Sequence, residues 1–101
     1  MNRSGKDKRD LKVRLLYHPK VRSEDVPRLS PDIDFRIQTA IRGRIALEPE
    51  KYGTPLRRGL RGYRKLRVGD YRVIYKVVGE EVRVIIVRHR SDVYRRVTKR
   101  V

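Results

Sequence analysis

Between Tyr63 and Tyr94 the chain interleaves two kinds of residue. Leu66, Val68, Val73, Ile74, Val77, Val84, Ile86 and Val87 are the stuff of a sheet core. Tyr63, Lys65, Arg67, Arg72, Arg88, His89, Arg90 and Tyr94 carry cationic, imidazole and phenol groups on that sheet or at its ends. Cations and aromatics presented from a rigid sheet suit a polyanion with stackable bases, which describes RNA. Arginines stay charged and fork onto phosphate oxygens. Arg57, Arg58, Arg61, Arg64, Arg67 and Arg90 read as a phosphate-steering surface. Arg72 has a second reading, as the partner of Asp70, Glu80 or Glu81. His89 is of the type that titrates near neutrality, so it reads either as an acid or base or as a structural group at the end of the sheet. Tyr71 and Tyr75 alternate opposite to Arg72 and belong in a core. Tyr94 lies beyond the sheet and is the better stacking group.

Those residues need a scaffold, and the composition bounds it. The 101 residues fit one compact domain with a modest core. There is no Cys, which removes disulfides, thiol catalysis and Cys-based zinc sites. His18 and His89 are far apart in sequence, so no metal site and no cofactor is expected. No apolar run follows the charged N-terminus, so no membrane span is expected and the expected address is the cytoplasm. The net charge of +16, from 28 Lys and Arg against 12 Asp and Glu, is badly unbalanced. It calls for a nucleic acid or an acidic protein as partner.

The elements can be placed along the chain. Residues 1–10 are polar and read as a disordered basic arm, leaving 11–101 as the domain. Residues 11–17 read as a strand that His18-Pro19 ends. Residues 20–29 read as a short first helix weakened by Pro27. Ser30-Pro31-Asp32 starts a second helix: Ser30 caps it, Pro31 suits its first position, and Asp32 and Asp34 favour the positive end of its dipole. Ile33, Ile37, Ala40, Ile41 and Ile45 give that helix one apolar face, and Glu48-Pro49 closes it. Residues 50–62 read as a basic loop. Strands 63–68, 71–78 and 81–88 follow, with hairpin turns at Gly69-Asp70 and Gly79-Glu80. Ile85-Ile86-Val87 predicts burial on both faces of the last strand. Residues 91–101 read as helical at first and then frayed. The expected fold class is α+β in the order β-α-α-β-β-β. Two helices pack on one face of an antiparallel sheet whose other face is partly open.

With these residues laid out, the chain resembles the RelE/ParE-family toxins of type II toxin–antitoxin systems. The match is carried by Tyr17-His18-Pro19, Leu29-Ser30-Pro31 and Lys51-Tyr52-Gly53-Thr54-Pro55-Leu56. It continues through Leu66-Arg67-Val68-Gly69-Asp70-Tyr71-Arg72-Val73-Ile74-Tyr75 and His89-Arg90 to Val93-Tyr94. The resemblance implies a compact toxin neutralised by a cognate antitoxin, which the basic charge makes acidic. RelE-like members cleave mRNA in the ribosomal A site; ParE-like members inhibit DNA gyrase without a nuclease site. By position, the resemblance implies catalytic roles for Lys65, Arg72, Arg88 (with Arg90 as the alternative) and Tyr94, the last stacking on a base. Where some nuclease members carry a loop carboxylate, this chain has Thr54.

Cleavage of that type needs the neighbouring 2′-OH to attack the phosphate. The site must accept its proton, stabilise the anionic phosphorane and protonate the leaving oxygen. Arginines suit the second task. A lysine is a base only where neighbouring cations or burial favour its neutral form, and Lys65 stands among Arg64, Arg67 and Arg72. The general base is therefore Lys65 or His89.

Overall fold

The computed structural model describes residues 13–101. The expected basic arm and the start of the first strand fall outside them. Strand β1 (Arg14–Tyr17) ends at His18-Pro19, and His18 Nδ1 accepts the N–H of Lys20 at 3.0 Å. A π-type turn (Val21–Asp25) then runs into a 3-10 turn (Val26–Arg28) containing Pro27, in place of a regular first helix.

Helix α1 (Pro31–Ala40) starts as its sequence dictates. Ser30 Oγ accepts the N–H of Ile33 at 3.3 Å, Pro31 stands in the first turn, and Asp32 and Asp34 follow. A π-type turn (Ile41–Ile45) prolongs it and keeps Ile37, Ala40, Ile41 and Ile45 buried on one side. Helix α2 (Pro49–Tyr52) and strand β2 (Thr54–Pro55) interrupt what reads in the sequence as a plain loop. The meander is β3 (Tyr63–Val68), β4 (Tyr71–Val78) and β5 (Glu81–His89). Gly69 and Gly79 each take φ of 60° in its hairpin turns, a backbone angle that costs glycine nothing. Helix α3 (Val93–Val97) follows.

The sheet order is β1-β5-β4-β3-β2. The sheet is mixed rather than wholly antiparallel, because β1 pairs with β5 in parallel. The long helical connection allows this: it returns the chain to the far side of the sheet, as a parallel neighbour requires. On β5 the register slips between two pairs, Ile74 with Ile86 and Tyr75 with Val84, leaving Ile85 as the extra residue. The extra residue puts Ile85 and Ile86 on the same face, in the second core, while Val84 and Val87 serve the first, so the Ile85-Ile86-Val87 run is buried on both faces.

Each face of the sheet carries a core. Val21, Ile37, Ile41 and Ile45 pack against Leu66, Val73, Tyr75, Val82, Val84 and Val87 on one side. On the other side Ile74 and Ile86 meet Val93 and Val97 of α3, with Leu56, Leu60 and Tyr63 packed alongside. The C-terminus is therefore not frayed, since Val93 and Val97 are completely buried.

One carboxylate anchors this end. Asp25 is fully buried. It accepts the N–H of Val87 at 2.9 Å, Arg88 Nε at 2.8 Å, and Arg100 Nη1 and Nη2 at 2.7 and 2.8 Å. Arg88 Nη1 continues to Asp92 Oδ2 at 3.1 Å, at the start of α3. Asp25 thus holds both ends of α3, the start through Arg88 and Asp92 and the end through Arg100. Removing one member of such a buried set leaves the others charged and unpaired. Asp25→Ala is expected to lower unfolding stability by about 3–5 kcal/mol in urea denaturation. Asp70→Ala, at an exposed carboxylate, should stay within about 0.5 kcal/mol of wild type.

Candidate active site

Hydrogen-bond register brings the chemical residues together at one corner of the sheet. Lys65 lies opposite Ile74, and Arg67 opposite Arg72. Strand alternation then puts Lys65, Arg67 and Arg72 on the face of the second core. Helix α3 covers part of that face, and the remainder is a cleft of about 530 Å³ lined by Lys65, Arg67, Arg72, His89, Arg90, Ser91 and Tyr94. Lys65 Nζ stands 5.6 Å from the centroid of the Tyr94 ring, a cation–π distance. The Tyr94 side chain is itself substantially exposed.

Arg72 is 8% exposed, and Nη1 donates to the carbonyls of Gly69 at 3.0 Å and Tyr71 at 2.8 Å. It takes no carboxylate partner among the described residues; the hairpin turn fixes it instead. His89 meets Tyr71 edge-on, with centroids 5.4 Å apart and planes at 81°. Its Nδ1 accepts the N–H of Ser91 at 3.1 Å and lies 2.8 Å from Ser91 Oγ. A nitrogen that accepts a backbone N–H carries a lone pair, so the neutral ring bears its proton on Nε2. Arg90 makes a 3.5 Å contact with Asp70, both side chains well exposed, a pairing of little energetic weight.

Two assignments from the sequence are corrected. Arg88 does not line the cleft: it is 4% exposed, and its donors are committed to Asp25 and Asp92, with Glu24 at 3.8 Å. Arg64 is not a free steering cation, because Nη2 donates to the carbonyls of Glu50 at 2.9 Å and Gly53 at 2.7 Å. Arg57, Arg58 and Arg61 are exposed on the loop before β3, outside the cleft lining. Thr54 lies directly opposite Lys65 in the β2–β3 pairing, and no carboxylate lines the cleft. Among the described residues, no three of His, Asp or Glu gather into a set that would hold a metal.

The residues that hold the site were harder to read. Ser91, which fixes the His89 ring, sits two positions beyond it, a local signal that was open to use. Gly53 is required by close approach: a Cβ there would lie 2.0 Å from the Tyr75 hydroxyl. That hydroxyl donates to the carbonyl of Pro49 at 2.6 Å. Burial raises the Tyr75 phenol above its usual 10.0, with Arg64 opposing.

The start of α3 is also a proton-linked joint. Asp92 accepts from Arg95, from Arg96 Nε at 2.7 Å and from Arg88 Nη1 at 3.1 Å. The Arg95 hydrogen bond has the largest effect and, with Arg96, lowers its carboxyl from 3.8 to about 2 despite the opposing effect of desolvation. A carboxyl lowered by folding adds stability that is fully present above its unfolded value and is lost as pH falls through the folded one. Acid unfolding is therefore expected to steepen between pH 3.8 and about 2. Circular dichroism at stepped pH should show Asp92→Asn with a shallower dependence in that window.

Residues 15–94 match the family described as ParE toxin of type II toxin-antitoxin system, parDE. The chain belongs to this ParE toxin family. It is 39% identical over 74 residues to Toxin RelG of Mycobacterium tuberculosis (strain ATCC 25618 / H37Rv), covering 71% of this chain and 85% of RelG. Toxin RelE of the same organism is 33% identical over 75 residues, covering 72% of this chain and 77% of RelE. The toxin–antitoxin complex RelBE2 from Mycobacterium tuberculosis superposes with a TM-score of 0.71 at 30% identity, covering 80% of this chain and 94% of that one. A mutant of E. coli toxin RelE in the free state shares the fold, with a TM-score of 0.68 at 23% identity over 89% of this chain and 98% of that one. The α+β fold read from the sequence is the fold of these toxins. Among the described residues no helix is long and apolar enough to cross a membrane.

Proposed function

We propose that this toxin is an endoribonuclease that cuts mRNA in the ribosomal A site and so arrests translation. The carrying observation is the cleft: Lys65, the arginines Arg67, Arg72 and Arg90, an imidazole with a defined donor and an exposed phenol, around a space without a carboxylate. In this reading Tyr94 stacks on a base beside the scissile phosphate. Arg72 and Arg67 hold its non-bridging oxygens and stabilise the phosphorane as charge builds. The 2′-oxygen attacks phosphorus, its proton passing to Lys65 in its unprotonated form, which is the group left for that task once His89 is a donor. The bond to the 5′-oxygen breaks, Nε2–H of His89 donates a hydrogen bond to that oxygen, and the oxygen takes its proton from solvent water. The products are a 2′,3′-cyclic phosphate and a 5′-hydroxyl. The ribosome presents the message in line, which a small open cleft cannot do alone.

The partner that silences the toxin is a cognate antitoxin, and the +16 charge asks for an acidic one. Its acidic segment lies over the cleft and neutralises it. The Arg95–Arg100 end offers less free charge to that partner than the sequence implies, because Arg95 and Arg96 pair with Asp92 and Arg100 with Asp25.

A second reading is inhibition of DNA gyrase without cleavage. It is favoured by the ParE family match and by Thr54 opposite Lys65, where a general-base carboxylate is absent. Purified toxin added to translating ribosomes separates the two. Lys65→Ala and Arg72→Ala are each expected to slow A-site cleavage by about 10²–10³ with folding intact. Cleavage at the wild-type rate by both variants overturns the assignment. Loss of gyrase supercoiling with the message uncut establishes the second reading.

A further inference from the structure

Helix α1 presents an aromatic that its own period does not explain. Ile33, Ile37, Ala40 and Ile41 face the core. Phe35 falls between the inward positions and is 73% exposed, the most exposed large apolar side chain among the described residues and the only Phe in the chain. A single exposed apolar residue needs no explanation. This one has a setting. It lines a concavity of about 500 Å³ with Arg36, Thr39, Arg44, Arg67 and Gly69. No carboxylate lines that space, and none of the described carboxylates is paired with Arg36, Arg44 or Arg67. The exposed Arg36 reaches the β3–β4 turn, its Nη2 lying 3.1 Å from where a Cβ on Gly69 would be. Arg67 lines this concavity and the cleft alike, so the two share that side chain at the end of β3.

We propose that the Phe35 concavity is a second RNA-contact site. The strand held in the cleft leaves it past Arg67, an unpaired base stacks on Phe35, and Arg36 and Arg44 take the flanking phosphates. An aromatic beside unpaired arginines is the arrangement that binds single strands without regard to sequence. The charge selects a polyanion, and the flat exposed ring selects one with bases. The inference rests on the RNA reading of the cleft and extends the substrate footprint beyond it.

The test uses the full chain and all-deoxy single strands, which have no 2′-OH and cannot be cut. Two lengths, about 4 and about 16 nucleotides, bracket the site sizes of small single-strand-binding domains. Fluorescence anisotropy reads the affinity. Phe35→Ala is expected to weaken the long strand by about 5- to 150-fold, the usual range for losing one stacked base, and to leave the short strand unchanged. Phe35→Trp retains the long-strand affinity, whereas Phe35→Leu loses it. Arg44→Gln lowers the slope of log affinity against log salt by about 0.7 for the long strand only. Tyr94→Ala weakens both lengths, which reports on the cleft separately. A short strand indifferent to Tyr94→Ala counts against the cleft reading, whatever Phe35 does. The Phe35 site itself is overturned if Phe35→Ala binds the long strand as wild type, if Phe35→Leu does, or if both lengths weaken equally. It is also overturned if Phe35→Ala weakens only the cognate antitoxin, which would assign the surface to a protein partner.

Discussion

The buried carboxylate of Asp25 is the constraint on which the rest depends. A chain with this much positive charge must keep its arginines apart or give them partners. The interior has room for few of them. Asp25 admits two guanidiniums, Arg88 and Arg100, to the inside of the fold by satisfying both and taking a backbone N–H as well. A buried ion set of this kind adds little net stability compared with apolar packing, but it defines position, because no other arrangement leaves its members paired. Here it ties three parts of the chain: the turn after β1, the end of β5 and the C-terminal residues.

The candidate site follows from that tie. Helix α3 has five residues and would not persist alone. It is held by Val93 and Val97 in the second core and by the Asp25 cluster at both ends. Its placement brings Tyr94 over Lys65 and leaves the cleft open beside it. Two of the cleft's polar groups are fixed by other means: Arg72 by the carbonyls of the Gly69 turn, His89 by Ser91. Preorganised charge of this sort would need no rearrangement when a phosphate arrives, which is where its value to the proposed cleavage would lie. The self-repulsion that remains would be relieved by an anionic partner such as an acidic antitoxin.

Much of the fold was legible in the sequence. Ser30 with Pro31, the isoleucine spacing of α1, and the glycines of both hairpins are local signals, and each led to the right element. The parallel pairing of β1 was not legible, because it depends on where a long connection delivers the chain. The same holds for the site. Lys65, Arg72, His89 and Tyr94 share a region of sequence and come together in the cleft. Arg88 shares that region too, and its type and strand position gave no sign that it turns to Asp25, 63 residues away. Arg64 was misread for a related reason, since its partners are backbone carbonyls, which no side-chain pattern announces. Charge identity is visible in a sequence; whether a charge is free or spent is decided by tertiary contacts.

Amide hydrogen exchange tests the central claim most directly. The Val87 N–H donates to Asp25 itself, and Val97 lies in the last turn of α3. If Asp25 locks α3 to the sheet, the two amides belong to one cooperative unit. Their protection should then be similar in the wild type, and Arg100→Gln should lower that of Val97 while Val87 stays protected. A Val97 amide that exchanges in the wild-type toxin as fast as in an unstructured peptide, with Val87 still protected, would contradict the account.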